Sequence, residues 1–316
     1  MNNVNRFLNQ VREQQHRAKR IVVAAAHDKA TILAVDLARV ELDVEITLVG
    51  EFDKITQAVE LAGTSLASFE VVIAEGDDAI AEMSVRLIAD GKGHILMKGL
   101  IETSTLLIQL LKREFGLRTD SLLSHTALLM SEGSEKYYLL TDAGMNISPS
   151  LEQKEKIINN AVTMAHALGN SHPNVAMLCA KEKSYDKMPA TLDATELQRL
   201  NQIGQIKGCT VSGPIQLDLA LSKQAAEMKG CTDPVAGNAD IFIAPSIEVG
   251  NVFGKALKYM GDYIYAGVVL GAKVPVVVVS RADSEQEKLL SIAMACMCNV
   301  DAQEKVSSDK AELENA

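Results

Sequence analysis

The sequence predicts an α/β protein, built as two α/β/α domains with largely parallel sheets. Three observations carry that expectation. Short, wholly apolar runs alternate with segments of helical period through the first half of the chain. These runs are rich in Val and Ile and lack in-out alternation, as strands buried on both faces require. Hydrophobic residues make up 47% while aromatics are only 4% and Trp is absent, so the core is one of Val, Ile, Leu, Ala and Met, which suits sheets covered by helices. At 316 residues the chain has room for two such domains.

The elements follow in order. Residues 1–20 are polar and read as an amphipathic helix, not a signal peptide. Residues 21–26 (IVVAAA) form a buried strand, and Asp28 supplies the N-cap of a helix through 42. Strand 44–49, a helix to 62, strand 69–74, a helix to 90, strand 94–97 ending at Lys98-Gly99, and helix 103–113 repeat the β-α order of a doubly wound sheet. The middle changes character: 122–130 and 137–141 are strand-like around a polar Ser-Glu-Gly-Ser-Glu turn, the pattern of a hairpin. Helix 151–168 follows Pro149, then strand 175–180; residues 181–193 show no period and are expected to form a functional loop. The remaining expectations are helix 194–206, strand 209–212, helix 217–228, strand 240–244, helix 248–260, strands 263–270 and 274–279, and a last helix from Ser284. The charged tail, 301–316, is expected to fray. A boundary near 131–136, with the last strand and helix returning, gives a first domain of 1–135 plus 278–316 and a second of 136–277.

Composition excludes several function classes. A net charge of −10 with no basic stripe argues against a nucleic-acid or anionic-membrane surface, so an anionic substrate must be captured by local cations. No apolar run is long enough to span a bilayer, and five cysteines scattered through apolar segments read as reduced, buried thiols; a cytoplasmic location is the expectation. Cys296-Met-Cys298 has the wrong spacing for a zinc hook, and no metal is expected. The G-x-S-x-G, HExxH, P-loop and GxGxxG fingerprints are missing.

The strongest local signal is Val276-Val-Val-Val-Ser280-Arg281-Ala-Asp283-Ser284-Glu-Gln-Glu287. Four valines read as a strand and Ser284 onward as a helix, so a Ser-Arg pair sits at a strand-to-helix junction, where helix N–H groups and an arginine fork bind anions. Ser284 and Glu287 match the S-x-x-E capping box, which accounts for Glu287 without catalysis, and Asp283 supports Arg281 or the helix start. Other segments end in small and polar residues: Lys98-Gly99, Thr141-Asp142 through Asn146, and 233–240. Convergence of such ends at one sheet edge is how α/β folds build a site. In helix 248–260, Gly250 and Gly254 share a face; each costs roughly 1 kcal/mol relative to Ala, which demands a close approach of backbone or ligand. Asn251 and Lys255 form a polar pair on the neighbouring face. His125, in an apolar strand, reads as a core histidine.

Together these segments resemble the phosphate acetyl/butyryltransferase family. The resemblance rests on LMKGL (96–100), GLRTDSLLSH (116–125), TDAGMNISP (141–149), KMPATLDA (187–194), GQIKG (204–208), SGPIQLDLALS (212–222), PVAGNADIFIAPSIEVGNVFGK (234–255) and VVSRADS (278–284). It implies a two-domain fold like that of isocitrate and isopropylmalate dehydrogenases, with the active site in the interdomain cleft. It also implies reversible acyl transfer between coenzyme A and inorganic phosphate, with no metal, tightly bound cofactor or covalent intermediate, and a homo-oligomer. Arg281 then holds the phosphate and Ser280 assists at the oxyanion. The family's proposed general base, an aspartate six residues after its arginine, is Glu287 here, so Glu287, Asp283 or no dedicated base remain open. Lys98, Gly99, Thr141, Asp142, Asn146, Gly250, Asn251 and Lys255 are the candidate substrate-binding residues. Butyryl or a similar short chain is the expected acyl group, with acetyl as the alternative. A metal- and NAD-dependent decarboxylating dehydrogenase on the same fold, or a non-catalytic binding relative, are the competing classes.

Overall fold

A computed structural model of the chain describes residues 3–14, 19–280 and 282–298. Two compact units divide it: one takes the residues up to Ser121 and from Ala266 onward, the other Leu122–Tyr265.

The first unit opens with α1 (Asn3–Gln14), which buries Val4, Phe7, Leu8 and Val11 at helical spacing. Strands β1 (Arg20–Ala24), β2 (Glu45–Gly50), β3 (Glu70–Ile73) and β4 (Ile95–Lys98) alternate with α2 (Lys29–Leu42), α3 (Phe52–Ala62), α4 (Asp77–Ala89) and α5 (Thr103–Leu110). Asp28 caps α2 as expected, accepting the Thr31 N–H at 2.9 Å. All four strands are parallel, in the order β3-β2-β1-β4. Ile21, Val22, Val23, Ile95, Leu96 and Met97 are fully buried, which explains their unbroken apolar runs.

The second unit holds β5 (Ser124–Ser131), β6 (Tyr138–Thr141), α6 (Leu151–Ala167), β7 (Asn174–Leu178), α7 (Pro189–Gln202), β8 (Thr210–Ile215), α8 (Leu217–Leu221), α9 (Lys223–Met228), β9 (Ile241–Ile243) and α10 (Ile247–Met260). β5 and β6 form the expected antiparallel hairpin, with Ala127 opposite Leu140. That pairing keeps the hairpin whole within this unit, whereas the sequence reading placed its break at 135. β6, β9, β7 and β8 run parallel. Phe242 anchors the core, with Tyr138 at 5.2 Å and Phe253 at 6.0 Å between ring centroids.

Chain order closes with β10 (Tyr263–Leu270), β11 (Val276–Val277) and α11 (Glu285–Met297). β11 lies parallel to β4 and antiparallel to β10. Three expectations change. α7 starts at Pro189, not 194, because proline suits the first helical turn. The helix expected over 217–228 breaks in two at Ser222, whose extended backbone and hydroxyl cap α9 through the Ala225 N–H. The strand expected over 274–279 pairs only at Val276–Val277; Val278 and Val279 are half-buried.

Candidate active site

In a parallel sheet, strand C-termini and the following helix N-termini share one edge. In the first unit β4 and β11 are parallel neighbours (Leu96 beside Val276, Met97 beside Val277), so Lys98-Gly99 and the residues after Val279 leave at the same edge. Gly99 donates its N–H to Ala24 O and Leu100 donates to Ala25 O, both at 2.8 Å. A Cβ at Gly99 would collide with the Ala25 carbonyl, so this stitching of two chain ends requires glycine. The Lys98 ammonium donates to the carbonyls of Gly99 and Ile101, each at 3.1 Å, and closes the turn.

The junction after β11 is built from reciprocal hydrogen bonds. Exposed Ser280 donates its N–H to Asp283 Oδ2 at 2.6 Å, and the Asp283 N–H returns to Ser280 O at 3.2 Å. Ser280 Oγ accepts the Ala282 N–H at 3.3 Å, so its hydroxyl proton is what it can offer a ligand. The capping box predicted at Ser284 is present: Glu287 Oε2 accepts the Ser284 N–H at 2.8 Å, and Ser284 Oγ accepts the Glu287 N–H at 3.2 Å. Glu287 is only 6% exposed. Its amide is thereby taken, which leaves those of Glu285 and Gln286 as the first-turn N–H donors without a partner among the described residues. Lys288, 3% exposed, donates from Nζ to Asp283 O at 2.7 Å; the sequence reading missed it, and its signal was a lone lysine in an apolar helix. Arg281 lies outside the described residues.

A second cluster forms within the other unit. β6 and β9 end side by side, so the 141–146 loop and the start of α10 meet at one edge, joined by Ala244 N–H to Thr141 O at 2.7 Å. Asp142, 2% exposed, organises the loop: Oδ1 accepts from Gly144 N (2.8 Å) and Met145 N (2.9 Å), and Oδ2 from Asn146 N (3.2 Å) and Nδ2 (2.5 Å). The Asn146 amide also donates to Leu123 O at 2.9 Å. Both side chains therefore hold the loop. Thr141 is fully buried, one step beyond the Ala127–Leu140 pair and so opposite Thr126; both hydroxyls lack a partner among the described residues. Thr141 thus presents no hydroxyl at the surface.

α10 packs directly on this loop. A Cβ on Gly250 would lie 2.5 Å from Asp142 O, and one on Gly254 would lie 2.5 Å from Tyr265 Cε2. The two glycines serve a backbone and a ring within the fold. Asn251 Nδ2 donates to Ala143 O at 3.1 Å, leaving its side-chain oxygen as an acceptor. Lys255 is exposed and makes no ion pair among the described residues. His125 is partly buried near the start of β5, with its Nδ1 buried, packed against Gly144 and stacked on Tyr265 at 6.2 Å and 17°, a structural placement. The 233–240 segment, in contrast, leads into β9 and so lies at the opposite edge of the sheet. Gly237 N–H donates to Leu219 O at 2.7 Å there, an internal packing role. Residues 181–188 are pinned by buried Thr191, whose Oγ1 accepts the Tyr185 N–H at 2.8 Å.

The cysteines stand apart from this chemistry. All five are free thiols. Burial pushes Cys179 and Cys209 up to about 11 and Cys296 and Cys298 up to about 12, far from thiolate at neutral pH. Among the described residues, no group of three or more His, Cys, Asp or Glu side chains is placed to hold a metal ion, and no helix is long and apolar enough to cross a membrane.

Residues 80–296 match the family described as phosphate acetyl/butaryl transferase. The chain is 43% identical to the phosphate butyryltransferase of Clostridium acetobutylicum over 88% of its own length and 93% of that protein's. It is 38% identical to the phosphate acetyltransferase of Thermotoga maritima, over 89% and 95%. Its fold is similar to a branched-chain phosphotransacylase from Enterococcus faecalis, with a TM-score of 0.80 and 33% identity, covering 90% of this chain and 99% of that one.

Proposed function

The chain belongs to the phosphate acetyl/butyryl transferase family, and from that premise we propose how its residues divide the work. The reaction is reversible acyl transfer between acyl-coenzyme A and inorganic phosphate. A phosphate oxygen attacks the thioester carbonyl, the C–O bond forms, the C–S bond breaks, and coenzyme A leaves with the electron pair of that bond. We place the phosphate at the Ser280–Arg281 junction, where the arginine fork offers bidentate contact. The carrying observation is Ser280, exposed at the strand-helix edge with its hydroxyl proton available. It donates to the developing oxyanion, a contact worth on the order of 10²–10³ in rate. Lys98 and Gly99 leave the sheet at the same edge and are assigned to substrate binding, as are Asn251 and the loop that Asp142 and Asn146 hold in shape. Lys255, exposed on the same helix as Asn251, is assigned to substrate binding as well, whereas Thr141 and Gly250 are left out of substrate contact on the geometry described above.

Of the two carboxylates, Glu287 is the cap and Asp283 sets the junction. In the reverse direction a thiol of pKa about 8.5 is only a few per cent thiolate at pH 7. Asp283, half-buried beside Ser280, is the carboxylate we assign to assist its deprotonation. The interdomain location of the active site, and the isocitrate dehydrogenase-like arrangement it presupposes, belong to this proposal through the family resemblance. So do a cytoplasmic location and the lack of a tightly bound cofactor.

We assign butyryl or a similar short chain as the acyl group, supported by the identity to butyryltransferases. The acetyl alternative is separated by only ~1–3 kcal/mol per methylene. Phosphate-dependent release of free thiol from a panel of acyl-coenzyme A esters tests the reading: release is fastest with a four- or five-carbon acyl group. No release with any ester overturns it. A homo-oligomer is supported by α10, whose buried positions are glycines while Val249, Val252, Tyr259 and Met260 are exposed. Glu248 and Lys255 flank that stripe on one side, so an antiparallel second copy sets each glutamate toward the other's lysine. Light scattering on Val252→Glu should then report a smaller particle than wild type; an unchanged mass contradicts this interface.

A further inference from the structure

We propose that Lys288 is a positioning residue for phosphate, an inference that rests on the reading of the Ser280–Arg281 junction given above. From Leu289 to Met297, α11 buries every side chain, and only Ser291 among them is polar. Lys288 opens that buried run at 3% exposure. A buried ammonium is unfavourable unless it is well bonded. Its bond is short: Nζ donates to Asp283 O at 2.7 Å. The acceptor is a neutral carbonyl, so the bond engages one of the ammonium's three donors without cancelling its charge.

Two consequences follow for the junction. Asp283 also accepts the Ser280 N–H at 2.6 Å, so Lys288 is two links from the catalytic hydroxyl: it fixes the Asp283 backbone, and Asp283 fixes Ser280. The second consequence is electrostatic. Asp283, Glu285 and Glu287 put three carboxylates within five residues of the helix start, a field that opposes a bound anion. As an ammonium, Lys288 places a positive charge beside the turn, in surroundings where burial weakens screening. It touches no reacting atom; its effect passes through Asp283 and through the field.

Lys288→Met removes charge and donor while keeping an unbranched apolar stem, and Lys288→Gln removes the charge while keeping an N–H donor on a shorter stem. In the full-length enzyme both should raise KM for inorganic phosphate by at least about tenfold, with KM for the acyl-coenzyme A ester changed by less than about threefold, and Lys288→Arg should restore much of the loss. Folded Met and Gln variants with a wild-type phosphate KM overturn the proposal. So does failure of both variants to fold, which makes Lys288 a fold element only. Arg281→Ala, measured alongside, separates the two readings. If it too leaves phosphate KM unchanged, the junction itself has been misassigned. If Arg281→Ala raises phosphate KM and the Lys288 variants do not, Lys288 alone has been.

Discussion

Replacing Gly250 with alanine is the sharpest test of how α10 meets the 141–146 loop. The new Cβ would stand 2.5 Å from Asp142 O, 3.0 Å from Ala143 Cα and 3.1 Å from Ala244 Cβ, whereas ordinary contact begins at 3.4 Å. Helix and loop must therefore separate by about 0.9 Å, and neither backbone has a flexible end to yield. Overpacking of this kind costs ~1–3 kcal/mol. Alanine regains ~1 kcal/mol of helix propensity, so the net loss of stability is ~0–2 kcal/mol. Activity should suffer more. The separation moves the loop that Asp142 organises and strains the Asn251–Ala143 bond, and a displacement near 1 Å can cost about 10² in rate. Gly254→Ala is the internal control, with the same propensity gain. Its Cβ meets the edge of the Tyr265 ring at 2.5 Å, and a ring can swing aside. Thermal melts and phosphate-dependent thiol release on both variants decide the matter. The expected order is a large loss of kcat/KM in Gly250→Ala and a small one in Gly254→Ala. Equal losses, or the reverse order, refute the reasoning.

Two further outcomes are expected. Glu287→Gln keeps the capping box, since glutamine also reaches the N-cap amide, so melting temperature and kcat should stay near wild type; a general base would instead lose ~10²–10⁴ in rate. His27 accepts the Glu51 N–H at 3.0 Å through Nε2, and burial, followed by Lys54, holds its pKa below the ordinary value. The unfolded chain therefore binds the proton more readily. The associated stability is complete above about pH 6.5 and is lost as pH falls toward the folded value. Urea midpoints of wild type and His27→Gln should diverge on acidification, wild type losing more; parallel curves contradict this.

Much of the fold was legible because its signals are local. Buried parallel strands write unbroken Val and Ile runs, and Asp28 and the Ser284–Glu287 box announce helix starts in four residues. What escaped depends on partners distant in sequence. Ser222 breaks 217–228 although nothing in the helical period marks it, because a serine serves equally inside a helix or at its cap. Val278 and Val279 read as strand, yet pairing stops at Val277. The 233–240 segment has the composition of a site loop, but only strand direction reveals that it enters β9 at the other edge. The paired glycines of α10 announced a close approach without saying to what, and the Asp142 backbone and Tyr265 ring answer that. For Asp142 and Asn146, residue type suggested ligand contact; the geometry commits both to holding their own loop.

The assignment of phosphate to the Ser280–Arg281 junction is tested most directly by the phosphate KM of Arg281→Ala at saturating acyl-coenzyme A. A rise of at least about tenfold in phosphate KM, with an unchanged melting temperature, is the predicted result. A folded variant that turns over normally at low phosphate contradicts the assignment.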